Sequence, residues 1–397
     1  MNKTFNNILF IIISAILLLL EIDRLDAKSF VYQGIQVDSS SYVRMCLSLF
    51  FVLSIALIKI KRHKLNQMSR KFLIFVVCCY IMLIIQSLIY GISGSVYLYF
   101  SLPVLFYFYF LFSPPYISPH LINIVFPFLF IVISFCSYLN QRNITTLVSA
   151  EIATSASYYV LAFLPFMLLG KYRLVKLFAI LVALTLVVLS FKRGGLVALL
   201  FGVLLYFFVS WKSSGSKKNR FFVPFFSLIV FLLFMVLFFR LDDFTGNVLG
   251  NKMTTVFEDG GSNRNDIYSA VFSAILNSDI IQLLFGHGWD SVNKSGLWIT
   301  SAHNDYLQLI YDLGIISVFL YISYIISLFK FCIFLIHKHS PYASAFACSL
   351  GIFFVLTMVS HVLLYSNFFL LFTMFWGFVE CKSYQYENRS FSLPLRK

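Results

Sequence analysis

Apolar and polar positions along this chain fall into blocks rather than alternating. Apolar runs, all but a short sixth one of the length a helix needs to cross a bilayer, about 17 to 25 residues, recur at roughly 5–21, 43–60, 72–90, 95–112, 121–139, 157–170, 174–191, 194–211, 221–239, 313–336, 342–360 and 364–380. Short polar connectors separate them, with one exception. Residues 240–304 form a 65-residue polar stretch between the ninth and tenth runs, and a loop of that length usually carries a function. The first run has no small-residue cleavage site and reads as a retained helix, not a removed signal peptide. The pattern therefore predicts an all-α polytopic membrane protein with about 12 transmembrane helices. Residues 1–239 would hold helices 1–9 and 240–304 a large extracytoplasmic loop carrying short amphipathic helices. Residues 305–397 would hold helices 10–12 and a cytoplasmic tail.

Composition agrees. Hydrophobic residues make up 60% of the 397 and charged residues 12%, against about 25% charged in a soluble domain. The net charge of +14 has a topological reading, because Lys and Arg accumulate on the cytoplasmic side of membrane proteins. With both termini inside, the inner segments collect 20 of the 30 basic residues and only two of the 16 acidic ones, Glu380 and Glu387. The charge thus predicts an N-in, C-in arrangement and needs no nucleic-acid partner. None of the seven cysteines falls in an outer segment, where disulfides form, and none has zinc-site spacing. No metal site is expected.

The outer segments hold the candidate chemistry. In "GGSNRNDIYSAVFSAILNSD" (260–279) apolar residues at 267, 271, 272, 275 and 276 mark one face of an amphipathic helix. Ser262 or Asn263 would cap it, and its apolar face would lie on the membrane surface. Arg264 then sits in the first turn, where a positive charge opposes the helix dipole and an anionic partner would relieve it; the structural alternative is an arginine snorkelling to lipid phosphates. In "LLFGHGWDS" (283–291) Gly286 and Gly288 flank His287 as a tight turn; a histidine there is more often incidental than a ligand or base. "AHNDYLQLIYDLG" (302–314) places His303 and Asn304 at the outer end of the tenth run, with Leu307, Ile310 and Gly314 along one helical face. An imidazole is neutral near pH 7 and can take a proton, as a general base must. The alternative is an interfacial histidine at a helix start, with Asp305 favoured by the dipole.

One further outer connection, "SFKRGGLVALL" (190–200), sets Lys192 and Arg193 against the positive-inside trend. Gly194 and Gly195 after them would let a ligand approach backbone at a helix N-terminus, a setting that suits phosphate. Trp289 and Trp298 are weak candidates for stacking on sugar rings, since such residues more often anchor at the interface.

With these motifs in place, the chain resembles the O-antigen polymerase and O-antigen ligase superfamily of bacterial envelope enzymes. The resemblance lies in "SFKRGG", "NRNDIYSAVFSAILNSDIIQLLFGHGW" and "AHNDYLQLIYDLG", over roughly residues 185–330. It implies a glycosyltransferase of the inner membrane, its active site facing the periplasm. The donor would be an undecaprenyl-diphosphate-linked oligosaccharide, used without metal or other cofactor and with a chain-length regulator protein as a possible partner beside membrane lipids. By position His303 matches the family's catalytic histidine, and Arg193 and Arg264 match its diphosphate-binding arginines. Lys192 would add charge, and Asn304, Gly194 and Gly195 would support the site.

Departures from the ligase pattern narrow the choice. The ligase branch resembles His-Asn followed nine residues later by Gly-x-x and a small or aromatic residue; here Gly314 and Ser317 take those places. The "LLFGHGW" turn and "HNDYLQLIYDLGII" look more like the polymerase branch, which the sequence therefore favours over a ligase acting on a lipid A-core acceptor. A repeat-unit transporter is the rival from another class. Transporters place ionisable or broken-helix features at mid-membrane, whereas the polar residues here gather at one outer surface.

Overall fold

A backbone in lipid has no water to hydrogen-bond, so apolar runs of this length are confined to helix. The computed structural model describes residues 3–23, 65–90, 95–113, 117–147, 155–213, 217–244, 246–247, 250–251, 254, 260–297, 301–363 and 366–392. Among these every regular element is a helix: α1 (Lys3–Asp23), α2 (Gln67–Tyr90), α3 (Ser95–Phe112), α4 (Pro119–Leu147), α5 (Ala156–Leu168), α6 (Arg173–Leu189), α7 (Arg193–Ser213), α8 (Lys217–Phe244), α9 (Gly260–Leu276), α10 (Ile280–Phe285), α11 (Ser291–Lys294), α12 (Asp305–His337), α13 (Ala343–Val359) and α14 (Ser366–Ser392). The expected second span, 43–60, and Trp298 lie outside the described residues. Four helical segments are long and apolar enough to cross a membrane: Gln67–Tyr90, Pro119–Arg142, Arg193–Ser213 and Asp305–His337. Shorter apolar helices such as Ala156–Leu168 and Ala343–Val359 accompany them. The chain is a multi-pass membrane protein, all-helical among the described residues. Phe128, Phe231 and Phe319 face outward, as side chains bathed in lipid would.

Small residues set the closest helix contact, as they do where lipid removes the hydrophobic drive between helices. A Cβ on Gly202 of α7 would lie 2.5 Å from Ile352 Cγ1 of α13, and one on Gly351 would lie 3.3 Å from the Gly202 Cα. In the same way a Cβ on Gly377 of α14 would meet the Tyr107 carbonyl of α3 at 2.3 Å. These two pairs, α7 with α13 and α3 with α14, share one aromatic-rich core in which Trp376 is fully buried against Phe353 and Phe372.

Glu380 stands at the end of the twelfth expected run. It is fully buried, accepting from Ser69 Oγ at 2.9 Å and from the Tyr107 hydroxyl. A buried carboxylate needs such donors, because leaving it unpaired costs far more than the bonds themselves contribute.

The loop between α8 and α12, together with the start of α12, departs from the sequence expectation in three ways. First, α9 starts at Gly260 rather than beyond a cap at Ser262 or Asn263, which moves Arg264 to the edge of the second turn and weakens its conflict with the dipole. Second, the apolar face of α9 is split. Ile267 and Val271 are buried with Val292, Ala302 and Tyr311 in a small core of the loop's own, while Phe272 and Leu276 stay exposed. Third, Gly314 does not continue a helical face. Its φ of 79° and ψ of 171° break α12 into two helical pieces.

That break is where the loop docks. His287 N–H donates to the Tyr311 carbonyl at 2.9 Å and Gly288 N–H to the Asp312 carbonyl at 3.1 Å. Gln86 of α2 reaches in and donates to the carbonyls of Phe285, at 2.6 Å, and Asp312. The Asp312 carboxylate accepts from the backbone N–H groups of Asp290 and Ser291, from Ser291 Oγ and from Gln308 Nε2. Carbonyls freed by the helix break thus find donors in the loop and in a neighbouring helix, as buried backbone must.

Candidate active site

Three connections meet at the start of α12: the one before α7, the end of the outer loop, and the turn between α13 and α14. His303 lies in the second, with a left-handed φ of 52°. A non-glycine residue holds that conformation only when its surroundings fix it, and here they do. The His303 carbonyl accepts from the Tyr268 hydroxyl of α9 at 3.3 Å, and the same hydroxyl reaches the Met358 carbonyl of α13 at 3.1 Å. Asn304 follows as the N-cap of α12, accepting from the N–H groups of Tyr306 and Leu307 at 3.0 and 3.1 Å. Caps of this kind contribute about 1 kcal/mol. Its Nδ2 also donates to the Met358 carbonyl at 3.2 Å, so Asn304 both starts the helix and ties it to α13.

Two cations act on His303. Burial, then the charges of Lys192 and Arg264, push its imidazole down to about 4, against an ordinary value near 6.5. At neutral pH the ring is uncharged, with a lone pair available. Arg264 is also within electrostatic reach of Tyr268 and of Tyr158 on α5. The structure therefore brings Lys192, Arg264 and His303 together from three separate segments of the chain.

The remaining expected residues fall as follows. Arg193 is the first residue of α7 and partly buried; of the two adjacent cations it is Lys192 whose charge acts on His303. Gly194 and Gly195 are buried, and the space left by their missing side chains is filled. A Cβ at 194 would lie 2.9 Å from Val359 Cγ2 and one at 195 would lie 3.3 Å from Tyr158 Cε1. They seat α7 against α5 and α13, instead of opening backbone to a ligand. Asp305 is buried, accepting from the Leu363 N–H and the Tyr321 hydroxyl, both at 3.3 Å. His287 is engaged by Ser278 Oγ at 3.3 Å and the Tyr311 carbonyl at 3.2 Å, and stacks on the Tyr311 ring at 4.1 Å. It belongs to the loop's docking against the helix break. Trp289 packs against the main core, and its carbonyl accepts from Lys294 Nζ at 2.7 Å.

One site residue escaped the sequence reading. His361, in the turn between α13 and α14, stacks on His303 with ring centroids 4.7 Å apart and planes tilted by 31°. Its Nδ1 is 2.8 Å from Ser301 Oγ. The available signal was topological: in the twelve-span reading the short connector "SHVLLYS" (360–366) falls on the same side as His303, Lys192 and Arg264. A lone histidine between two nearly continuous apolar runs carried no motif to draw attention to it.

The described residues contain no cluster of three or more His, Cys, Asp or Glu side chains able to hold a metal ion. What the site presents is a neutral imidazole held beside fixed positive charge. That suits proton abstraction next to a polyanionic group.

No curated protein matches the chain. A family described as O-antigen ligase matches residues 178–322, less than half of the chain but including Lys192, Arg193, Arg264 and His303. Over the stretch that builds this site, the chain is thus similar to the O-antigen ligase and polymerase superfamily of membrane enzymes.

Proposed function

We propose that the protein is an O-antigen (surface polysaccharide) polymerase, joining undecaprenyl-diphosphate-linked repeat units at the periplasmic face of the bacterial inner membrane. The observation that carries this reading is the neutral His303 held within reach of Lys192 and Arg264. In the reaction, His303 takes the proton of an acceptor sugar hydroxyl. The hydroxyl oxygen forms its bond to the anomeric carbon of the donor glycan while the bond from that carbon to the diphosphate oxygen breaks. The electron pair leaves with the diphosphate, whose charge Lys192, Arg264 and Arg193 meet. The donor brings its own leaving group, so the step balances without a further reactant. A single displacement inverts the anomeric centre. A chain-length regulator would act on such an enzyme from outside this site.

The ligase reading is supported by the description of the matched family. The polymerase reading rests on the "LLFGHGW" and "HNDYLQLIYDLGII" stretches. Gene deletion, with electrophoresis of surface glycans and of lipid-linked intermediates, separates the two. Single repeat units on the surface with the long ladder lost mean a polymerase. Long polymer stranded on its polyprenyl carrier means a ligase.

A further inference from the structure

His361 lies outside the matched residues 178–322 and outside the motifs that carry the resemblance, yet its ring is the one against which His303 stacks. It is buried, at 7% exposure. The segment 301–305 holds both partners. Ser301 Oγ bonds to His361 Nδ1, Asn304 Nδ2 donates to the Met358 carbonyl three residues before His361, and the Asp305 carboxylate accepts from the Leu363 N–H two residues after it. Five consecutive residues therefore carry His303 and grip, on both flanks, the turn that presents His361 to it.

We propose that His361 is a positioning residue for His303, fixing the plane of its imidazole, and that the two rings hold at most one proton between them. The inference rests on the reading of His303 as the base. Two imidazolium rings with centroids 4.7 Å apart, one buried and one half-buried, would repel strongly. Of the charged and titratable groups facing the pair, Lys192 before α7 and Arg264 on α9 are positive and add to that, while Tyr268 on α9 is engaged by the His303 carbonyl and the buried Asp305 side chain by Leu363 and Tyr321. Burial comes first in holding His361 well below the ordinary imidazole range, and the His303 charge comes next. When His303 takes the acceptor's proton, His361 stays neutral and offers the new cation a ring face.

The test is a titration of the full-length protein in nanodiscs, selectively labelled with 15N-histidine, as wild type and as His303→Phe. His361 is expected to remain neutral throughout the pH range in which His303 protonates, and His303→Phe should move the His361 titration to higher pH. Independent protonation of the two rings, or a His361 titration unmoved by His303→Phe, would overturn the proposal. No substrate is involved, so this result stands apart from whether the protein transfers glycan. The kinetic arm uses His361→Ala and His361→Phe with a polyprenyl-diphosphate-linked oligosaccharide. Releasing the base from its plane should lower kcat by about tenfold to a hundredfold with little change in KM for the donor. His361→Phe, which keeps a ring face, should recover most of the rate. Wild-type turnover in His361→Ala, or equal loss in both variants, would overturn the positioning role.

Discussion

Gly286 and Gly314 each face the backbone of the other's segment across the seam between the 260–304 loop and α12. A Cβ on Gly286 would lie 2.1 Å from the Asp312 carbonyl oxygen, and a Cβ on Gly314 would lie 2.0 Å from that of Leu284. Both also hold positive φ, 80° and 79°, which other residues tolerate poorly. Either alanine must push the loop off the helix break, so Gly286→Ala and Gly314→Ala should each destabilise by more than the roughly 1 to 3 kcal/mol of backbone strain alone. Gly296 is the control, with φ of 74° and nothing within 4 Å of its missing Cβ. Thermal unfolding in detergent should show a clearly larger fall in Tm for the first two than for Gly296→Ala.

His303 should set the acid limit of activity. Its imidazole titrates at about 4, so it is neutral and competent above that pH and is lost as a base as pH falls through it. A bound diphosphate offsets Lys192 and Arg264 and stabilises the protonated ring. The acid limb of kcat, which reports the loaded enzyme, should therefore lie at higher pH than that of kcat/KM. Coincident limbs would show that the donor's charge does not reach His303.

Lys192→Ala and Arg264→Ala should each raise the titration of His303, because each removes a positive charge that disfavours imidazolium. The acid limb of kcat/KM should move up in both variants while the rate falls. Arg264→Lys should restore the position of the limb but only part of the rate, since an ammonium keeps the charge and loses the two-pronged grip on phosphate. The comparison of pH profiles separates charge from geometry.

Gly202→Val tests the helix contact beneath the site. The first added carbon would already sit 2.5 Å from Ile352 Cγ1 and 3.1 Å from the Cys348 carbonyl. Overpacking of this kind costs about 1 to 3 kcal/mol and should lower Tm. Because Lys192 directly precedes α7 and Met358 lies in the last turn of α13, it should also weaken transfer. A Gly202→Val protein with wild-type Tm would mean that α7 and α13 do not meet as closely as described.

The helical class was legible in the sequence, and so were Lys192, Arg264 and His303 as candidates, because both rest on strong signals. Apolar runs of span length leave the backbone no choice but helix, and charged residues in an outer connector stand out against the positive-inside trend. The pairing of Lys192 with Arg264 around His303 needed the fold, since topology places residues on a side of the membrane without saying which neighbours meet. His361 was missed for the same reason. Gly194 and Gly195 were read as room for a ligand, but a glycine in sequence does not say what fills the room; Tyr158 and Val359 fill it. The break at Gly314 was hidden because its apolar surroundings continue a helical period, and only the docked turn at Gly286 makes the left-handed backbone favourable. Glu380 was counted with the inner segments by its place at the end of the last run, and its partners Ser69 and Tyr107 lie about 300 residues away in sequence.

The most direct measurement is glycan transfer by purified protein in lipid, supplied with a polyprenyl-diphosphate-linked repeat unit as both donor and acceptor, comparing wild type with His303→Ala. The expected result is a ladder of lengthening lipid-linked products with release of polyprenyl diphosphate for the wild type. His303→Ala, folded and unfolding at the same temperature, should give none. A ladder formed at the wild-type rate by His303→Ala would contradict the assignment of His303 as the base.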